Sequence, residues 1–271
     1  MNYFDDKYKN IIRKNAKLIR KEITKNIYTN NNFKDKLYNN MYSRFQICLT
    51  KSVKKYMCYH NLNSNSKGFN INVGLYFPFK EEINIFEILA YIHNIELLNC
   101  KDTNHIYNSN LMNKCFKLTL LDLLDYKNID FKFYLPIIKD YSNSIIEFAF
   151  FKDFSNLKTN KYNILEPDLD NLSTNNINTN ISCDIIITPM LVFSCKNKKR
   201  IGYGKGYYDK LFTQYNNANI FYKSIGINYD ELELDNIVNN NSSLSILKDK
   251  TCVFSDYDIP LNYICTQSNI Y

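Results

Sequence analysis

The chain has 271 residues, 45% of them hydrophobic and 23% charged, enough for one sizeable core. A formal charge of +7 suits a polyanionic partner, nucleic acid or nucleotide phosphate, but it is spread along the chain and selects neither by itself. The longest apolar run, SIIEFAFF, carries Glu147 and is far short of the roughly 18 residues of a membrane span, and the opening MNYFDDKYKN has no apolar leader, so a cytoplasmic protein is expected. The sequence neither shows nor excludes a mitochondrial or other organelle address.

In chain order, Ile12, Ala16, Ile19, Ile23 and Ile27 recur at helical spacing and predict an amphipathic helix over 10–28. Its Arg13, Lys14, Lys17, Arg20, Lys21 and Lys25 read mostly as a solvated basic face. A second helix is expected over 41–57. NVGLYFPF at 72–79 predicts a strand ended by Pro78, followed by a helix over 84–95. FKFYLPII at 131–138 and SIIEFAFF at 144–151 predict further strands. CDIIITP at 183–189 is a continuous Ile run closed by proline, the pattern of a strand buried on both faces. A helix begins at Tyr207, and 222–229 and 262–267 close the set as strands. Strands alternating with helices predict an α/β fold with a single open, mainly parallel sheet flanked by helices.

Between these blocks lie Asn-rich tracts at 30–32, 39–40, 61–65, 171–180 and 236–242, expected to be loops or inserts because they bury little. The domain reading is one unit over 1–271 with inserts near 29–40, 60–68, 170–181 and 236–248. The eight cysteines form no C-x-x-C pair, which fits reduced, mostly buried thiols. Cys58 with His60, and Cys100, His105 and Cys115, match no zinc spacing.

Three of the six glycines fall inside RIGYGKGYYD at 200–209. The stretch lies between a buried strand and a helix, at the sheet edge where α/β proteins bind ligands. Glycine backbone amides near a helix N-terminus can cradle an anion. Lys205 adds a point charge and Arg200 a planar fork suited to phosphate oxygens. Asp209, in the first helical turn, could complement the helix dipole or hold a magnesium ion beside phosphates. The pattern fits neither the Walker loop nor the dinucleotide G-x-G-x-x-G.

RIGYGKGYYD closely resembles the signature of the 5-formyltetrahydrofolate cyclo-ligase family, R-[LI]-G-x-G-K-G-[YF]-Y-D. KLIRKEI resembles the family's N-terminal basic helix, VGLYFPFKEEINIFEIL its substrate strand and loop, and ILEPDL a short segment ahead of the main motif. DIIITPMLVF, SIGINY and DYDIPLNYICTQ resemble its later strands. Ser194, Asn228, Asn262 and Cys265 depart from the usual residues. The resemblance implies a three-layer, Rossmann-like fold of the CoA transferase-like kind. It implies ATP- and Mg²⁺-dependent conversion of 5-formyltetrahydrofolate to 5,10-methenyltetrahydrofolate with release of ADP and phosphate.

It implies ATP contacts from Lys17, Arg20, Arg200, Gly202, Tyr203, Gly204, Lys205, Gly206 and Tyr208. It places Mg²⁺ at Asp209 and Asp258, and substrate at Phe77, Glu82, Tyr203 and Tyr207. Lys205, Arg200 and Tyr207 are the expected catalytic positions. The expected partners are small molecules only, with no nucleic acid, no membrane and a monomeric chain. Two other readings compete. One is a tyrosine-rich nucleic-acid binder using KNKKR at 196–200 beside aromatics. The other is a relative that keeps the nucleotide loop but acts on another substrate.

Overall fold

Ile12, Ala16, Ile23 and Ile27 are all buried along the first helix, α1 (Tyr3–Thr29). The structure is a computed structural model that describes residues 3–62, 66, 68–93, 109–121, 129–171, 181–244 and 250–271. The predicted inserts at 63–65 and 172–180, the end of the helix predicted to Ile95, Cys100 and His105 lie outside the described residues. The second helix, α2 (Asn31–Tyr59), starts ten residues earlier than the periodicity predicts. The asparagines expected to make a loop near 29–40 instead start the helix: Asn30 caps it by accepting from the Phe33 N–H at 3.0 Å, and Leu37, Tyr38, Met41 and Phe45 bury one face.

The main sheet holds β1 (Phe69–Gly74), β2 (Ile129–Asp140), β3 (Ile145–Phe150), β6 (Ile185–Thr188), β9 (Lys223–Ile227) and β10 (Tyr263–Cys265). Their order is β10-β9-β6-β1-β2-β3, parallel throughout except for the edge hairpin of β2 and β3. The predicted strand at 72–79 leaves the ladder after Gly74, although Leu75 still donates to the Tyr134 carbonyl at 2.8 Å. Two small ribbons, β4 (Leu157–Thr159) with β5 (Leu165–Pro167) and β7 (Val192–Phe193) with β8 (Arg200–Ile201), lie outside the sheet.

The Ile run behaves as its composition predicts. Ile185 and Ile187 pack with Ile71, Val73, Ile225 and Ile227 toward the helices α1, α2, α3 (Ile85–Ile92) and α4 (Ser109–Leu121). Ile186 points to the other face, with Phe148 and Ile264, where α5 (Tyr207–Asn217) contributes Leu211, Phe212 and Tyr215. The result is the expected three layers. The Asn-rich tract from 236 is also partly helical: α6 (Leu234–Asn239) forms because Glu233 caps it and Leu234, Ile237 and Val238 are buried. Its asparagines, Asn236 and Asn239, are both exposed, where side-chain amides cost little.

Asn262 explains one departure noted in the sequence. Its Oδ1 accepts from the Ser224 N–H at 2.9 Å and from the Ser224 hydroxyl at 3.3 Å, tying β10 to β9. Asn262→Ala leaves that N–H without its acceptor and is expected to lower stability by about 1–2 kcal/mol. Asn262→Asp, which keeps the acceptor, is expected to stay near wild type; urea unfolding of the three proteins checks this.

Candidate functional site

The glycine loop leaves β8 at the carboxyl end of the sheet and turns into α5. Gly204 has φ +98° and Gly206 φ +70°, conformations that a side chain strains. Gly206 makes no side-chain cap for α5, so the first-turn N–H groups have no side-chain acceptor there. Lys205 is exposed between them and has no ion-pair partner among the described residues.

Helix α1 crosses this loop. Arg13 Nε donates to the Gly202 carbonyl at 2.9 Å, and its guanidinium lies where a Gly204 side chain would have to go, 3.2 Å from a built Cβ. Lys9 pairs with Asp258 at 3.1 Å. Lys17 stands 5.4 Å over the Tyr203 ring. Arg20 is 2% exposed, sharing the apolar stripe rather than the solvated face read from the sequence. Its Nη2 donates to the Met190 carbonyl at 2.5 Å and to Asn228 Oδ1 at 3.3 Å. Asn228, a departure from the family pattern, thus orients this arginine, and its own amide is fixed on the Leu191 carbonyl at 3.3 Å. Lys9, Arg13 and Arg20 lie four and seven residues apart, on one helical row. That spacing was the available signal for Arg13, which sequence reasoning left on the solvated face, and for Lys9, which it did not single out.

Arg200 is 5% exposed and pairs with Asp209 at 2.8 Å. Its guanidinium also lies against the Tyr208 and Phe212 rings, at 5.7 and 5.6 Å. Asp209 Oδ1 accepts in addition from the Ile259 N–H at 3.2 Å, which brings Asp209 beside Asp258. Asp258 Oδ2 is held by Lys9 and by the N–H and hydroxyl of Ser255. Oδ2 of Asp209 and Oδ1 of Asp258 have no hydrogen-bond partner among the described residues. Magnesium asks little more of a protein than one or two carboxylate oxygens beside phosphate, so this pair fits it. No group of three His, Cys, Asp or Glu side chains gathers among the described residues.

The 75–84 loop completes the enclosure. Phe79 meets Tyr203 edge to face at 5.3 Å, whereas Phe77, the residue expected from the sequence, packs on Phe154 at 5.7 Å. Glu82 accepts from the Phe79 N–H at 2.9 Å. Burial pushes its carboxyl up to about 7, against the pull of that N–H and of the Arg20 charge. Burial, and then Glu82, push the Tyr203 phenol up to about 12. Tyr208 rises for the same two reasons, countered by Arg200.

Among the described residues, the buried side-chain polar atoms left without a partner are Arg20 Nε and Nη1, the hydroxyls of Tyr207 and Tyr208, and Asp230 Oδ1. Four of these five belong to residues picked out from the sequence, and unmet buried donors cost about 1–3 kcal/mol each unless something binds them. A separate cavity of about 280 Å³, lined by Asn70, Asn113, Asp130 and Lys132 among others, lies where β1 and β2 begin, away from this chemistry. The basic run 196–200 is mostly engaged: Lys199 reaches the Ser255 carbonyl at 2.7 Å, Lys196 pairs with Asp235, and Arg200 is buried.

Residues 121–242 match the 5-formyltetrahydrofolate cyclo-ligase family. Over 104 residues the chain is 26% identical to the 5-formyltetrahydrofolate cyclo-ligase of Haemophilus influenzae, covering 38% of this chain and 52% of that protein. The chain thus spans about half the length of the curated relative it matches. The cyclo-ligase match contains Arg200, the glycine loop and Asp209. Lys9, Arg13, Arg20, Phe79, Glu82 and Asp258 lie outside it and reach the same place only through the fold. No helix among the described residues is long and apolar enough to cross a membrane.

Glu82 gives a pH signature. Its carboxyl binds its proton more tightly folded than unfolded, so its ionisation destabilises the fold as pH rises from about 4.5 to about 7. Glu82→Gln is expected to match wild type near pH 5 and to be more stable at pH 7.5, by on the order of 2 kcal/mol. Urea midpoints across that range check it; parallel curves contradict it.

Proposed function

We propose that the chain is an ATP-dependent 5-formyltetrahydrofolate cyclo-ligase that forms 5,10-methenyltetrahydrofolate and releases ADP and phosphate. What carries the reading is convergence. Residues outside the matched segment meet the glycine loop, and the atoms left unpartnered there are buried hydrogen-bonding groups.

The N5 formyl group is an amide and a poor electrophile. Phosphorylating its oxygen turns that oxygen into a leaving group, and N10 can then close the five-membered ring as phosphate departs. No protein nucleophile is needed. The protein has to hold a triphosphate against the formyl oxygen and neutralise charge as it moves. The open N–H groups at the start of α5, Lys205, Arg13 and Lys9 serve the phosphates, with Arg200 and Arg20 behind them. Asp209 and Asp258 are the residues that would hold magnesium, which would further neutralise phosphate charge. Glu82 accepts from the paired N–H donors of the pterin edge, and Tyr203 and Tyr207 flank the folate. Ring closure is intramolecular, so holding the folate bent is most of the second step.

The assay is appearance of the methenyl chromophore with 5-formyltetrahydrofolate and Mg·ATP. Lys205→Ala and Asp209→Asn are expected to lower kcat/KM by about 10²-fold or more with the fold intact by circular dichroism. Arg13→Ala is expected to raise the KM for ATP roughly tenfold while sparing that for the folate. Full activity in the Lys205 and Asp209 variants contradicts the phosphate and metal roles.

A further inference from the structure

Two hairpin tips lie by the start of α5, where Lys210 donates to the Asn143 carbonyl in the turn after β2. The turn after β2 carries Tyr141, and the β4–β5 turn carries Lys161 and Tyr162. The two tyrosine rings meet at 5.4 Å and 60°, and Lys161 Nζ lies 3.3 Å from the Tyr141 ring centre and 5.7 Å from that of Tyr162. Lys161 is exposed and has no carboxylate within ion-pair distance among the described residues. The acids nearby are engaged. Asp140 accepts from the N–H groups of Ser142 and Asn143 and from the Asn143 amide, and Glu166 accepts from the Ile138 N–H and the Asn160 amide. The Tyr207 hydroxyl is buried without a hydrogen-bond partner among the described residues, and burial first, then the neighbouring Tyr162 and Tyr141, push its phenol up.

A cation held over aromatic faces, with no counter-ion among the described residues, is suited to an anionic group joined to a ring. We propose that Lys161 is a specificity-determining residue that binds a carboxylate of the glutamate attached to the aminobenzoyl ring of the folate. The inference rests on the cyclo-ligase reading, since it takes the folate to enter beside Tyr207. Lys161 acts on binding of the tail and makes no contact with the reacting atoms.

The test compares 5-formyltetrahydrofolate with 5-formyltetrahydropteroate, which keeps N10 and the aryl ring but lacks the glutamate. In Lys161→Ala the KM for the folate is expected to rise roughly tenfold, the low end for a charged hydrogen bond because Lys161 is exposed, with kcat unchanged. The KM for the pteroate is expected to stay at its wild-type value, and Lys161→Arg to restore the folate value. Equal KM changes for both substrates, or none for either, overturn the proposal. Calorimetric binding of p-aminobenzoyl-glutamate to the wild type and to Lys161→Ala separates the two claims. If the wild type turns over neither substrate, the reaction is wrong. In that case roughly tenfold weaker binding of this probe in the variant sustains the lysine site, and equal binding ends it.

Discussion

The docking of α1 across the glycine loop is the contact on which the site depends. One helical row delivers Lys9 to Asp258, Arg13 to the Gly202 carbonyl and Arg20 to the Met190 carbonyl. The same helix buries Ile12, Ala16, Ile23 and Ile27, so its position is fixed by hydrophobic contact before any charge is counted. Removing Gly204 as a glycine would push on Arg13, which ties the backbone of the loop to the side chains of the helix. Core packing and the glycine loop are in this way joined through one element.

The charges around the loop are arranged in compensated pairs with one oxygen to spare. Arg200 holds one oxygen of Asp209 and Lys9 one oxygen of Asp258. Each pair is partly shielded from water, where an unpaired charge is costly. Lys205 is exposed with no ion-pair partner among the described residues, and Arg20 is buried with two N–H groups unmet there. Asn228 limits the cost by accepting from the remaining nitrogen.

Much of the fold was legible because its strands announce themselves. The run at 185–188 is apolar on every residue since both of its faces are covered, and the helix after Gly206 follows from the glycines and the first-turn acid. The start of α2 was not legible. Asn30–Asn32 reads as a loop by composition, and only the cap geometry and the later burial of Leu37 and Met41 make it helical. At the site, the motif at 200–209 was legible as a glycine loop between a strand and a helix, and Gly204 and Gly206 there have positive φ. Arg13 and Lys9 were not, because a basic helix face looks the same whether it meets solvent or another part of the chain. Phe77 was carried over from the family resemblance, and a motif match does not tell that Phe79 is the ring that meets Tyr203 across the fold while Phe77 packs on Phe154.

The central claim is that the N–H groups between Arg200 and Asp209, gated by α1, grip the phosphates of ATP. Hydrogen–deuterium exchange with and without Mg·ATP measures this amide by amide. The account predicts slowed exchange across 202–209 together with the 9–20 stretch of α1, and little change in β2 and β3. Unchanged exchange in the glycine loop, with protection elsewhere, contradicts it.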